Sequence, residues 1–273
     1  MHGAGNDYVY VDGFQYGILE NADEVAKLVS DRHKGIGGDG LILINPSEVA
    51  DARMEMYNAD GSRAEMCGNG IRCVAKYVYD HGIKKEPSLQ IETDNGVLAL
   101  DLTVSNGKVD LVEVDLGEPI LDGKSIPTTF EMEKVVKESI TVSDRTFEMT
   151  SVSMGNPHCV IFVPKLTDDL VHTYGPLIET DSHFPNRVNV EFVEIISRTE
   201  VIQRTWERGS GETHACGTGA GAVCVAGVLT GNTERQVLIH LLGGDLELEW
   251  RESDNHVYKK GPAAEVFSGV FEY

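Results

Sequence analysis

Two cysteines carry the first chemical signal. Cys67-Gly68-Asn69-Gly70 and Cys216-Gly217-Thr218-Gly219 each place a thiol at the start of a helical pattern whose first turn is rich in glycine. The free N–H groups and the positive dipole end of such a terminus stabilise a thiolate and should lower a thiol from its ordinary value of roughly 8.5. The same amides can cradle a carboxylate, because glycine lets an anion approach the backbone. One such site would suit a nucleophile or a redox thiol. Two related sites suit a base that takes a proton from one face of a tetrahedral carbon and an acid that returns one to the other. That chemistry needs one thiolate and one thiol near neutral pKa, tuned by neighbouring His and Glu.

The two cysteines belong to an internal repeat. Gly5-Asn6-Asp7 is echoed by Gly155-Asn156-Pro157; Asn6 and Asn156 are 150 residues apart, and Cys67 and Cys216 are 149 apart. Tyr57-Asn58 and Trp206-Glu207 precede the cysteines by the same ten and nine residues. Agreement at one offset implies two copies of a strand, loop, Cys-Gly-x-Gly, helix unit. The expected architecture is therefore two similar halves related by a pseudo-twofold axis, facing each other across a cleft. The joint falls near Gly117-Glu118-Pro119. The first half covers 1–117 and is completed by 263–273; the second covers 118–262. His158 and Glu207 sit inside the repeated motifs, so they are the neighbours expected to tune the thiols.

The elements that must position these residues follow from pattern. Tyr8 to Asp12 reads as a strand. Asn21 with Glu24 reads as a capping box opening a helix that runs to about His33. Strands are expected at Leu41 to Ile44, Met54 to Asn58, Leu89 to Thr93, Val97 to Val104 and Lys108 to Asp115. Ile71, Val74, Ala75 and Val78 fall at helical spacing over Asn69 to Asp80, and Gly82 stops that helix. A last strand, about Ala264 to Tyr273, is expected to return to the first half. Thr213 to Thr233 carries no charge, but five glycines and several threonines make it a buried helix rather than a membrane span.

Composition removes whole classes. The 273 residues hold 44 acidic and 23 basic side chains, a formal charge of −21 with a pI near 4.7. No basic cluster exists for a phosphate backbone or an anionic membrane surface, so neither nucleic acid nor membrane is an expected partner. The N-terminus shows neither a basic start nor an apolar run, which gives a cytoplasmic expectation. Five cysteines without a CxxC pair indicate neither a disulfide framework nor a zinc ribbon, and no metal site is expected. Cys73, Cys159 and Cys224 read as small buried apolar residues. Gly35-Ile36-Gly37-Gly38-Asp39-Gly40 fits GxGxxG literally, yet it follows a helix and precedes a strand, the reverse of a dinucleotide site. No lysine falls in either repeated motif, which disfavours a pyridoxal phosphate enzyme.

Together these strings resemble one family. His2-Gly3-Ala4-Gly5-Asn6-Asp7, Asn58-Ala59-Asp60-Gly61-Ser62, Met66-Cys67-Gly68-Asn69-Gly70, Ser153-Met154-Gly155-Asn156-Pro157-His158 and Glu207-Arg208-Gly209-Ser210-Gly211-Glu212-Thr213 with Ala215-Cys216-Gly217-Thr218-Gly219 look like diaminopimelate epimerase, in order and over nearly the whole chain. The resemblance implies an α/β (α+β) fold with a curved mixed sheet or barrel around a central helix in each half. It implies a cofactor-independent interconversion of LL- and meso-diaminopimelate in lysine and peptidoglycan precursor synthesis, by a homodimer. Cys67 and Cys216 would be acid and base, with His158 and Glu207 modulating them. Substrate would be held by Asn6, Asn58, Gly68, Asn69, Asn156, Asn189, Glu207, Arg208, Gly217 and Thr218. Arg208 suits a carboxylate through its planar fork, and the asparagines offer donors and acceptors to a zwitterion. Three positions depart from the family pattern: the chain begins almost at the first motif, Gly40 stands where some members have Gln, and His214 replaces an apolar residue. A proline-racemase-like enzyme of the same plan is the sibling reading, and a non-catalytic switch forming a Cys67–Cys216 disulfide is the reading from another class.

Overall fold

The computed structural model describes residues 1–64 and 67–272; Met66 of the cysteine motif and Tyr273 of the expected last strand lie outside them. The chain divides into two compact units, residues 1–115 with 260–273 and residues 116–259, each described by itself.

In the first unit the chain runs β1 (His2–Gly3), β2 (Asn6–Asp7), β3 (Val9–Asp12), α1 (Gly13–Tyr16), α2 (Ala22–Ser30), β4 (Gly40–Asn45), β5 (Ala52–Asn58), β6 (Arg63–Ala64), α3 (Gly70–Asp80), β7 (Ser88–Thr93), β8 (Gly96–Ser105) and β9 (Lys108–Asp115). Its sheet is ordered β9-β8-β7-β5-β4-β3 and is mixed, with β3 parallel to β4 and β5 parallel to β7. Every residue of β4 is buried because both its faces are covered. Leu41 and Leu43 meet the apolar stripe Ala22, Val25, Ala26 and Val29 of α2, while Ile42 lies toward Gly70 at the start of α3. A fully buried aliphatic side chain of this kind contributes about 1.5–3 kcal/mol.

The second unit repeats this plan with β10 (Glu138–Val142), β11 (Arg145–Ser153), β12 (Pro157–Val163), a π-helical turn at Leu170–Tyr174, α4 (Gly175–Glu179), β13 (Asn189–Ser197), β14 (Glu200–Glu207), β15 (Gly211–Thr213), α5 (Gly217–Thr230), β16 (Gln236–Leu241) and β17 (Gly244–Trp250). The division between units falls within β18 (Val257–Pro262). The sheet order is β10-β11-β12-β13-β14-β16-β17, with β12 parallel to β13 and β14 parallel to β16. The duplication extends to register. Leu41 pairs with Tyr57 as Val190 pairs with Trp206, and Met56 pairs with Ala64 as Thr205 pairs with Thr213. Each unit packs one helix against several strands of its own sheet: α3 meets β5, β7, β8 and β9, and α5 meets β11, β12, β13, β16 and β17. A sheet that touches one helix from so many strands curves around it.

The structure corrects three expectations. Asn21 makes no side-chain cap bond, so the capping box is not formed; α2 is held instead by Asp23 and Glu24 at its positive end and Lys27 in its last turn. The helix stops at Ser30 rather than His33. Asp31 turns extended and its carboxylate accepts the His33 and Lys34 N–H groups, drawing the backbone out of the helix. The last strand among the described residues is β18, ending at Pro262, and beyond it Ala264 makes a single bridge, to His2. Phe267 and Val270 stand exposed there, and Phe271 packs against the α2–β4 core without strand pairing. Gly82 does close α3, at φ +78°, with Ile83 N–H reaching back to Val78 O.

Candidate active site

The two cysteines hold the same station in their units. Cys216 is the N-cap of α5, and its Sγ accepts the Gly219 N–H at 3.3 Å. Cys67 precedes α3 by a turn, and its Sγ accepts the Gly70 N–H, also at 3.3 Å. In both cases the donor lies three residues on. The backbone thus supplies each sulfur with a hydrogen bond at a helix terminus, as the repeat implied.

Around Cys67 the first unit gathers Asn6, whose Oδ1 is 3.2 Å from the thiol and whose Nδ2 donates to Asp39. Gly68 and Asn69 form the turn into α3, with Gly68 O and Asn69 Oδ1 both accepting from Arg72. Asn58, at the end of β5, donates from Nδ2 to Ser62 Oγ within its own hairpin. Tyr8 is buried beside this group; burial raises its phenol, and Cys67 raises it further.

Around Cys216 the second unit builds a different wall. His158 and Glu191, both wholly buried, are joined by a 2.8 Å bond from Nδ1 to Oε1, and His158 Nε2 lies 3.1 Å from Asn156 Oδ1. Glu207 ends β14, its carboxylate accepting the Thr213 hydroxyl at 2.6 Å. Arg208 falls in the turn just beyond β14, so it and Glu207 are freed from the alternation of a strand. Asn189 accepts the Arg208 backbone N–H through Oδ1 and donates to Pro157 O, which fixes where that turn begins. Gly217 and Thr218 form the first turn of α5, with Thr218 Oγ1 3.6 Å from Cys216 Sγ.

Glu191 is the residue that sequence reasoning missed. Within β13, Val190 and Phe192 face the core formed with Val171, Tyr174 and Ile178, so alternation sends Glu191 to the opposite face, toward α5. There it approaches so closely that a Cβ on Gly219 would meet Oε1 at 2.6 Å. The available signal was an acidic residue set between Val190 and Phe192 in the strand. At the corresponding place of the first unit stands Ile42, and opposite His158 stands Tyr8, at the same 149- and 150-residue spacing. The backbone of the site is duplicated, and its side chains have diverged.

This changes the expected electrostatics. Burial pushes the Cys216 thiol well above the usual range, Glu207 and then Glu191 add to the push, and Thr218 and the Gly219 N–H oppose it. The lowering expected from a helix terminus is outweighed there by desolvation and two carboxyl groups. Burial likewise raises the Glu191 carboxyl against the pull of His158. A ring nitrogen of His158, an oxygen of Glu191 and Cys216 Sγ lie within 4.8 Å of one another. Both His158 nitrogens are engaged in hydrogen bonds, so the ring offers no free lone pair to a metal ion. The other three cysteines, Cys73, Cys159 and Cys224, are wholly buried.

Sequence comparison matches this chain to the diaminopimelate epimerase family over residues 1–121 and 150–266. A diaminopimelate epimerase of Methanococcus maripaludis is 53% identical over 272 residues, spanning 100% of this chain and 98% of the relative. The chain belongs to the diaminopimelate epimerase family. Another diaminopimelate epimerase, from Acetivibrio thermocellus, is 54% identical over 269 residues, 98% of this chain and 96% of its own. Among solved structures, a phenazine biosynthesis protein of the PhzF family from Bacillus anthracis superposes with a TM-score of 0.64 at 15% identity, covering 96% of this chain and 92% of that one. That likeness shows a shared fold. No helix of the described residues is long and apolar enough to cross a membrane.

Proposed function

We propose that this chain interconverts LL- and meso-diaminopimelate, with Cys67 and Cys216 as the exchanging base and acid. The observation that carries the reading is the thiol and helix-terminus geometry built twice, each Sγ 3.3 Å from the N–H three residues on. In the reaction a thiolate takes the α-proton and becomes a thiol. The C–H electron pair is delocalised into the adjacent carboxylate, and the other thiol delivers its proton to the opposite face, leaving a thiolate. Amides of the Gly68-Asn69 and Gly217-Thr218 turns suit the carboxylate on which charge develops. Asn6, Asn58, Asn156 and Asn189 serve the zwitterion's remaining donors and acceptors. Arg208, exposed at the tip of its turn, offers its fork to a carboxylate. His158 and Glu207 modulate Cys216.

The substrate's ammonium group offsets the carboxyl groups that hold Cys216 protonated, so its arrival eases the exchange of roles. The products feed lysine and peptidoglycan precursor synthesis. A cytoplasmic site of action fits five free thiols, and the working form is read as a homodimer, which light scattering would report as about twice the chain mass of 29.8 kDa.

Incubation of reduced protein with LL-diaminopimelate in deuterated water, followed by NMR of the α-proton, tests the assignment. Deuterium wash-in with formation of the meso isomer is the expected result. Exchange with proline but not diaminopimelate would transfer the chain to the sibling activity, and exchange with no amino acid would favour a thiol switch.

A further inference from the structure

Glu179, the last residue of α4, is a buried carboxylate outside the repeated motifs. Its Oε2 accepts the Trp206 indole N–H at 2.8 Å, and its Oε1 accepts the backbone N–H of Gly209 at 2.9 Å. Burial alone would raise the carboxyl, but those two bonds and the Arg187 guanidinium, 3.4 Å from Oε1, outweigh it and hold the group below its ordinary value. At neutral pH both oxygens therefore accept. Gly175, at the other end of α4, lies so close to Trp206 that a Cβ there would meet the Trp206 Cβ at 2.9 Å, which seats the helix directly against the end of β14.

The Gly209 N–H belongs to a turn that carries a candidate substrate residue. The chain leaves β14 in four residues from Glu207 to Ser210, closed by the Ser210 N–H on Glu207 O at 3.1 Å, with Gly209 at φ +77°. That is the type II form, whose middle peptide joins Arg208 to Gly209. Arg208, Gly209 and Ser210 are exposed, so no packing of their own holds this peptide, and glycine allows it to flip. Glu179 takes its N–H. Two further bonds complete the tether: Asn189 Oδ1 accepts the Arg208 N–H at 2.9 Å, and Asn186 O accepts from Arg208 Nη1 at 3.3 Å. Glu207, by contrast, is held on its own account, by pairing with Gly211 and by the Thr213 hydroxyl.

We propose that Glu179 is the positioning residue that fixes the Arg208–Gly209 peptide and so aims the Arg208 side chain at a substrate carboxylate. The proposal rests on the reading of Arg208 given above. A carboxylate suits the task because two N–H donors converge on it, and a neutral amide would turn its own N–H group toward one of them.

Glu179→Gln keeps the size of the side chain and gives up one of the two bonds. KM for LL-diaminopimelate should rise about tenfold, the scale of one hydrogen bond to a charged group, with kcat within about twofold because Glu207 stays in place. Adding the same change to Arg208→Ala should raise KM by less than about twofold more, since a residue that acts through Arg208 is coupled to it rather than additive. An unchanged KM in folded Glu179→Gln protein, full additivity with Arg208→Ala, or a fall in kcat as large as the rise in KM overturns the proposal. Amide hydrogen exchange read by NMR needs no substrate. In the unaltered protein the Gly209 amide should be protected although its residue is exposed, and Glu179→Gln should remove that protection. A Gly209 amide that exchanges as fast as in an unstructured peptide overturns the proposal whether or not any variant folds. A chain with no deuterium wash-in refutes the epimerase reading by itself. There the exchange result decides: protection lost in Glu179→Gln upholds the tether, and protection retained overturns it.

Discussion

At the scale of single residues, each thiol takes its character from the groups beside it. Serine at either position keeps the size of the side chain but not its acidity, so Cys67→Ser and Cys216→Ser should each lower epimerisation by at least the 10²- to 10⁴-fold typical of one acid–base group. Steady-state turnover checks this, and full turnover in either variant contradicts the two-thiol mechanism. The cysteines, His158 and Glu207 were legible because they stand in repeated strings. Glu191 and Arg72 were not. An acidic residue in a strand reads as a solvent-facing position, and an arginine beside Ile71 and Cys73 reads as a snorkelling surface residue. Only the packing of α5 on β13, and of α3 against its own sheet, shows that both are buried.

At the scale of elements, α5 is constrained by what its first turn must touch. Gly219→Ala would bring a Cβ to 2.6 Å from Glu191 Oε1 and 3.1 Å from Cys216 Sγ, displacing the carboxyl that anchors His158. Overpacking of this order costs about 1–3 kcal/mol. Urea denaturation should show that loss with an unchanged slope. On the far side of the same sheet, His240 of β16 bonds Glu200 of β14 and Asp245 of β17, and those two carboxylates, Glu200 first, raise its pKa. A raised histidine stabilises fully below its unfolded value of about 6.5, and that contribution fades as pH climbs through the folded value. The melting temperature of the parent should therefore fall slightly relative to His240→Gln as pH rises above about 6.5. The effect is small because the group is partly exposed and solvent screens its pairs.

The strands of the first half and the central helices were legible from alternation, helical spacing and the repeat, whereas the order of strands in the sheet was not. The end of α2 was not, because a side-chain turn at Asp31 overrides an amphipathic pattern that runs on past it. The last strand, expected at about Ala264 to Tyr273, was not legible either: Val266, Phe267 and Val270 stand exposed, and Phe271 packs on the α2–β4 core without pairing.

At the scale of the whole molecule, the −21 charge describes the surface rather than the chemistry. Diaminopimelate carries equal numbers of carboxylate and ammonium groups, so long-range steering has little net charge to act on. What the charge does impose is self-repulsion in the folded state. Raising sodium chloride from about 0.01 M to about 0.15 M shortens the screening length from about 30 Å to about 8 Å, and the melting temperature should rise accordingly. A melting temperature indifferent to salt would mean that local ion pairs such as Arg53 with Glu92 and Asp94 already neutralise the repulsion.

The repeated station of the two sulfurs has an evolutionary consequence. What the copies share is carried by main-chain amides at Gly70 and Gly219, and an amide proton survives every substitution except proline. The parts that distinguish the copies, Ile42 against Glu191 and Tyr8 against His158, are side chains, each open to point mutation. A duplicated ancestor could therefore keep two working sulfur sites unchanged while the polarity of the pair drifted, so stereochemical roles could be assigned, or reassigned, without rebuilding the scaffold.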